Sequence, residues 1–167
     1  MQQLLLLRHG IAADAAPGQH DADRALTEEG QQRAEAVARD LAGILGSVDR
    51  LVTSDLLRAG QTADVLAAAM PPGARIVLPE LSPDADPRVV FAWLQRQPPV
   101  ATTVLVGHEP QMNLLLGLGL TGALCGPALF KKAGFGLLRF SEGLDPGRGK
   151  LVLFSPPSIH LQRRWRS

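Results

Sequence analysis

Three short apolar runs in this chain each stop near a basic residue whose side chain can handle a phosphoryl group. Residues 4–7, all leucine, end at Arg8-His9-Gly10. Leu51-Val52 leads through Thr53-Ser54-Asp55-Leu56-Leu57 to Arg58, and residues 104–106 end at Gly107-His108-Glu109-Pro110. An imidazole nitrogen can attack phosphorus, and a guanidinium offers its oxygens a planar fork of donors. Gly10 removes a side chain where backbone must come close. Phosphoryl transfer to histidine needs a nitrogen aimed at phosphorus, donors on the non-bridging oxygens, and a route out for the leaving group. His9 would supply the first, held neutral by the neighbouring arginines. Arg8, Arg58 and His108 would supply the second, worth more in a dehydrated pocket than at the surface.

Each of these residues also has an ordinary reading. Arg58 could be a solvated helix residue paired with Asp55 at i, i+3, and His108 a core or capping histidine ahead of a proline-started helix. Ser54 reads first as a helix N-cap and second as a pocket-wall group. Arg24 shares a polar stretch with Asp21 and Asp23, which reads as a salt-bridged surface loop. His20 and His160 have no such company and read as surface or packing residues. The repetition of one arrangement at three strand exits favours the chemical reading of His9, Arg8, Arg58 and His108.

Strand-like and helix-like segments alternate along the chain, which predicts an α/β layer architecture with a mostly parallel sheet. Open sheets of this kind bind ligands at the carboxyl edge of their strands, where all three basic exits would converge. Residues 4–7 form the first strand, placed centrally. From Ala34 the apolar positions Val37, Ala38, Leu41, Ile44 and Leu45 keep helical spacing. Thr27 caps that helix, Glu28 and Glu29 suit its positive end, and Gly46 stops it. Residues 51–53 make a second strand. A helix from about Asp55 follows, with Ala59, Ala63, Leu66 and Met70 on one face, and Pro71-Pro72-Gly73 ends it. Residues 75–78 read as a third strand, Asp86-Pro87 as the cap and opening of a helix through Gln95, and residues 102–106 as a β-branched fourth strand. A nearly all-apolar helix follows Pro110. Residues 135–140 and 151–154 read as a terminal hairpin joined by a Gly- and Pro-rich connection.

Composition narrows the function classes. With 167 residues the chain suits one domain, with 161–167 as a flexible basic tail. A hydrophobic fraction of 46% and a net charge of +1 fit a soluble protein and do not point to nucleic acid. The single cysteine, Cys125, excludes an internal disulfide and reads as a core residue in a reducing compartment. A cysteine-phosphatase cradle would need Arg at position 131, which is Lys131. The stretch at 143–150 lacks the spacing of a nucleotide phosphate loop, and Leu151 stands where a magnesium-binding hydroxyl would be needed. Residues 4–7 are too short for a secretory leader, and the uncharged stretch 110–130 holds prolines, glycines and polar residues unsuited to a membrane span. The expectation is a cytoplasmic protein that binds neither membrane nor nucleic acid.

Arg8-His9-Gly10, the segment from Ser54 through Arg58-Ala59-Gly60-Gln61-Thr62, and Gly107-His108 together resemble the histidine phosphatase superfamily. That superfamily carries Arg-His-Gly near the N-terminus, a Ser-x-x-x-Arg-Ala-x-Gln-Thr segment and a late Gly-His or Ser-His. The likeness is greatest to its smallest members, the SixA-type phosphohistidine phosphatases. It extends to about Ser155 and includes Arg24-Ala25-Leu26-Thr27-Glu28-Glu29-Gly30 and Pro79-Glu80-Leu81-Ser82-Pro83-Asp84. The resemblance implies a phosphoglycerate-mutase-like three-layer sandwich in one domain. It implies His9 as nucleophile and Arg8, Arg58 and His108 as phosphate binders, with Gly10, Ser54 and Arg24 bordering the substrate. It implies neither metal nor cofactor.

Larger members of the superfamily protonate an alkoxide leaving group with a carboxyl in an insertion after the third strand. Here residues 79–87 form a short loop whose acids are Glu80, Asp84 and Asp86. Asp86 reads as a helix cap, and Glu80 reads either as the end of the third strand or as a possible acid. Imidazole leaves far more readily than an alkoxide, so the short loop favours phosphohistidine on a signalling or phosphotransfer protein. A small-molecule phosphomonoesterase using Glu80, and a phosphate-binding module without turnover, are the alternatives.

Overall fold

The leucines at positions 4–7 sit at the centre of the molecule. In the computed structural model, which describes residues 1–156, they belong to β1 (Gln2–Arg8) and are 0–2% exposed. Such burial on both faces is why the run is continuously apolar instead of alternating. β1 pairs in parallel with β4 (Thr102–Gly107) and antiparallel with β5 (Phe135–Phe140). With β2 (Arg50–Thr53), β3 (Ala74–Val77) and β6 (Lys150–Ser155), the sheet runs β3-β2-β4-β1-β5-β6. The β3-β2-β4-β1 portion is parallel, and the terminal hairpin adds the two antiparallel strands.

Alternation of side chains across the strands divides the core in two. Leu5, Leu7, Leu51, Val104 and Val106 pack against α1 (Glu28–Leu45) and α2 (Leu57–Ala69), through Val37, Leu41, Ala63 and Leu66. Leu4, Leu6, Val52 and Leu105 pack on the opposite face against α3 (Pro87–Arg96) and α4 (Gln111–Thr121), through Phe91, Leu94, Met112 and Leu115. The result is the three-layer α/β sandwich expected from the sequence.

Local signals account for several boundaries. Thr27 Oγ1 accepts the Gly30 N–H at 2.9 Å and starts α1, while Gly46, with φ of 72°, ends it. Asp86 caps α3 by accepting the Arg88 N–H at 2.9 Å, with Pro87 in the first turn. The apolar character of α4 has a tertiary cause. The chain returns over its outer side, so a Cβ at Gly117 would lie 1.9 Å from the Cys125 carbonyl oxygen. Among the described residues, no helix is long and apolar enough to cross a membrane.

Two expectations are corrected. Cys125 is exposed, because it lies in the surface segment that follows the left-handed Gly122 cap of α4, and is not a core residue. α2 begins at Leu57, not near Asp55: its cap position is Leu56, which has no side-chain acceptor, and Ser54 Oγ accepts the Leu56 N–H one step ahead of the helix while also bonding His108. The basic tail and His160 lie outside the described residues.

Candidate active site

Strand register brings the three basic exits together. Arg8 pairs with Gly107 across β1 and β4, and Thr53 with Val106 across β2 and β4, so His9, Ser54 and His108 emerge at one edge. The His9 and His108 ring centroids are 4.9 Å apart. His9 is fixed by its own backbone: its N–H donates to the Gly107 carbonyl at 2.9 Å, and its carbonyl accepts from Ala133 N at 3.0 Å. Its Nδ1 lies 2.6 Å from the Gly10 carbonyl oxygen. A carbonyl can only accept, so this contact puts the hydrogen on Nδ1 and leaves the lone pair on Nε2.

Both histidines are held neutral. His9 is pushed down to about 3, first by burial, then by the charge of His108, and then by Arg58 and Arg8, against the Gly10 hydrogen bond. The arginine effect expected from the sequence is present, but burial outweighs it. His108 is pushed down to about 4, first by burial and then by Arg58. Its Nε2 lies 2.7 Å from Ser54 Oγ, which also accepts the Leu56 N–H at 3.4 Å. When the Ser54 hydroxyl donates to Nε2, the His108 proton lies on Nδ1. That atom is buried and has no hydrogen-bond partner among the described residues.

Arg8 is the last residue of β1. Its Nη1 donates to the Phe130 carbonyl at 2.7 Å, and its Nε is buried with no hydrogen-bond partner among the described residues. Burial lowers its pKa and the nearby Glu109 raises it. Glu109 in turn accepts the Phe130 N–H at 2.9 Å, and burial holds its carboxyl above the usual range. The Phe130 peptide is therefore gripped from both sides by residues that flank His9 and His108 in sequence.

Arg58, in the first turn of α2, is 5% exposed. It reaches Asp21, not the Asp55 of the ordinary helix reading: Nη1 donates to the Asp21 carbonyl at 2.7 Å and Nη2 to Asp21 Oδ2 at 2.9 Å. Asp55 instead accepts from Ser82 Oγ at 3.2 Å. Arg24 takes the other carboxylate oxygen, Oδ1, at 2.8 Å, and its Nε donates to the Ala13 carbonyl at 2.7 Å. The salt-bridged loop of the sequence reading is thus tied directly to Arg58.

Gly10 is spent internally. Its N–H donates to Thr62 Oγ1 at 3.1 Å and its carbonyl is taken by His9. Its lack of a side chain serves helix packing, because a Cβ there would lie 2.9 Å from the Gly30 carbonyl oxygen. Glu80 sits in a 3₁₀ turn, Pro79–Leu81, beside the exit of β4, and its backbone carbonyl accepts from Gln111 Nε2 at 2.5 Å. Sequence reasoning missed Asp21, Thr62, Glu109 and the Phe130 peptide. Thr62 carried a signal as part of the motif segment, whereas Asp21 and Arg58 are 37 residues apart and share no local pattern. Among the described residues no three His, Cys, Asp or Glu side chains gather as a metal site.

The model of the histidine phosphatase superfamily, branch 1, matches residues 4–82. Phosphohistidine phosphatase SixA of Escherichia coli is 35% identical over 118 residues, which span 68% of this chain and 71% of that one. The chain belongs to the histidine phosphatase superfamily. An uncharacterized protein of Picosynechococcus is 42% identical over 113 residues, covering 66% of this chain and 68% of its own. The solved structure of the protein histidine phosphatase SixA complexed with tungstate superposes with a TM-score of 0.83 at 29% identity, covering 95% of this chain and 99% of that one. Superfamily membership accords with the phosphoglycerate-mutase-like arrangement of the sheet, and the four basic residues occupy its carboxyl edge.

Proposed function

We propose that this protein is a phosphohistidine phosphatase that works through a phosphoryl group carried on His9. The observation that carries this reading is the His9 Nδ1 contact with the Gly10 carbonyl, which leaves Nε2 unprotonated in a ring held neutral down to about pH 3. In the first step the Nε2 lone pair forms a bond to phosphorus as the bond to the substrate ring, protonated on its other nitrogen, breaks, and neutral imidazole leaves with the electron pair. In the second, water attacks phosphorus, the bond to Nε2 breaks, and inorganic phosphate departs. Arg8, Arg58 and the His108 Nδ1–H bind the phosphoryl oxygens, where charge is spread in the transition state. Ser54 sets the His108 tautomer, and Arg24 acts through Asp21.

The relatives support the substrate class: one is named a phosphohistidine phosphatase, and another was solved with tungstate, a tetrahedral oxyanion. The turn at 79–81 supports it independently, since it is short and engages Gln111 through the Glu80 carbonyl, not the carboxyl. A phosphohistidine ring protonated on its other nitrogen leaves as neutral imidazole, without an acid from the protein. The substrate would then be a histidine on a signalling or phosphotransfer protein in the cytoplasm. Measuring kcat/KM for a phosphorylated histidine domain and for a panel of sugar phosphates, on wild type and on Glu80→Gln, tests this. Phosphohistidine should be the best substrate and the Glu80 change should matter less than threefold. A sugar phosphate turned over best, and lost with Glu80→Gln, would replace this reading with a phosphomonoesterase.

A further inference from the structure

We propose that Asp21 is a positioning residue that aims Arg58 and restrains its hold on anions. The inference rests on Arg58 binding the phosphoryl group, as proposed above. Both Nη groups of Arg58 are committed to Asp21, one to its carbonyl and one to its carboxylate. A guanidinium has five N–H donors, so this end-on grip fixes its plane while leaving the Nε side and the outer hydrogens for a ligand. The carboxylate is itself fixed. Arg24 holds its other oxygen and is anchored on the Ala13 carbonyl, and the two arginines together keep Asp21 below the usual carboxylate range.

The pair is asymmetric in exposure, with side chains 6% exposed for Arg58 and 61% for Asp21. A buried cation is thus neutralised by a carboxylate mounted on a surface turn, at the rim of the site. A phosphoryl group arriving at Arg58 meets a guanidinium that is oriented but already shares its charge. Asp21 should therefore raise the rate of the chemical step, through alignment, while weakening the binding of free phosphate, through charge. Opposite signs on rate and on anion affinity are what a purely structural residue would not produce, because loosening the turn would weaken both.

The turn has supports of its own: Gln19 Nε2 donates to the Asp23 carbonyl at 2.9 Å, and Asp23 N–H donates to the His20 carbonyl at 3.0 Å. Asp21 variants should fold. Inorganic phosphate titrated calorimetrically into the full chain should bind at least threefold tighter in Asp21→Asn than in wild type. The kcat on a phosphorylated histidine domain should fall at least tenfold in Asp21→Ala and recover in part in Asp21→Asn, which keeps an acceptor for Arg58. In an Arg58→Ala background, Asp21→Asn should leave phosphate affinity unchanged. Phosphate binding that weakens in Asp21→Asn, or an effect that persists without Arg58, would overturn the proposal. A wild type that binds phosphate but turns over no phosphohistidine would overturn the substrate reading alone, and the phosphate titrations would still decide the role of Asp21.

Discussion

Two buried imidazoles 4.9 Å apart, flanked by two arginines, are tolerable because both rings are neutral. That neutrality has a cost which the whole protein should register. Unfolded, each histidine takes a proton near 6.5; folded, they resist to about 3 and about 4. Between those limits the unfolded chain binds more protons than the folded one, so stability falls as pH drops below 6.5, by up to about 1.4 kcal/mol per pH unit for each ring. Urea unfolding of wild type and His9→Asn at pH 7.5 and 5.0 should show a smaller acid loss in the variant. Parallel losses would mean that His9 is not buried neutral. The role proposed for the arginines is read in rates instead. Arg8→Ala should cost about 2–4 kcal/mol of transition-state stabilisation, the scale of removing a preorganised donor. A kcat/KM within threefold of wild type would place Arg8 outside the reaction.

The segment after β1 is held in place by the start of α1. Thr27 N–H donates to the Ile11 carbonyl at 2.9 Å, and Gly30 sits so close that a Cβ would lie 2.0 Å from that same oxygen. No side chain can be fitted without moving backbone. Gly30→Ala should destabilise the fold by about 1–3 kcal/mol, as overpacking does, and displace residues 9–11 enough to lower kcat/KM at least tenfold. Thermal unfolding and kinetics would check both, and a variant indistinguishable from wild type would show that α1 does not hold the site. The start and end of α1 were legible because capping is local chemistry, written in Thr27 and Gly46. The start of α2 was not. Ser54 has a capping side chain, but it is shared between the Leu56 N–H and a histidine 54 residues away, and the helix starts three residues later. Cys125 was misread for a related reason: burial of a small thiol depends on where a surface segment falls after Gly122, which no periodicity records.

At the scale of the whole molecule, the parallel portion of the sheet could be read from three strand exits that share one chemical character, and β1 could be placed centrally from its unbroken apolar run. The terminal hairpin was also legible, in two apolar runs around a Gly- and Pro-rich connection. What the sequence withheld are the links between distant loops: Asp21 to Arg58, and Glu109 and Arg8 to the Phe130 peptide. These depend on three-dimensional closure, and they aim the basic residues. All of them converge on one claim, that His9 Nε2 receives the phosphoryl group. Rapid alkaline quench during turnover of a labelled phosphohistidine protein, followed by peptide mapping, tests it directly. Label on the peptide containing His9, absent in His9→Ala, is the predicted result; label on His108 with none on His9 would contradict the account.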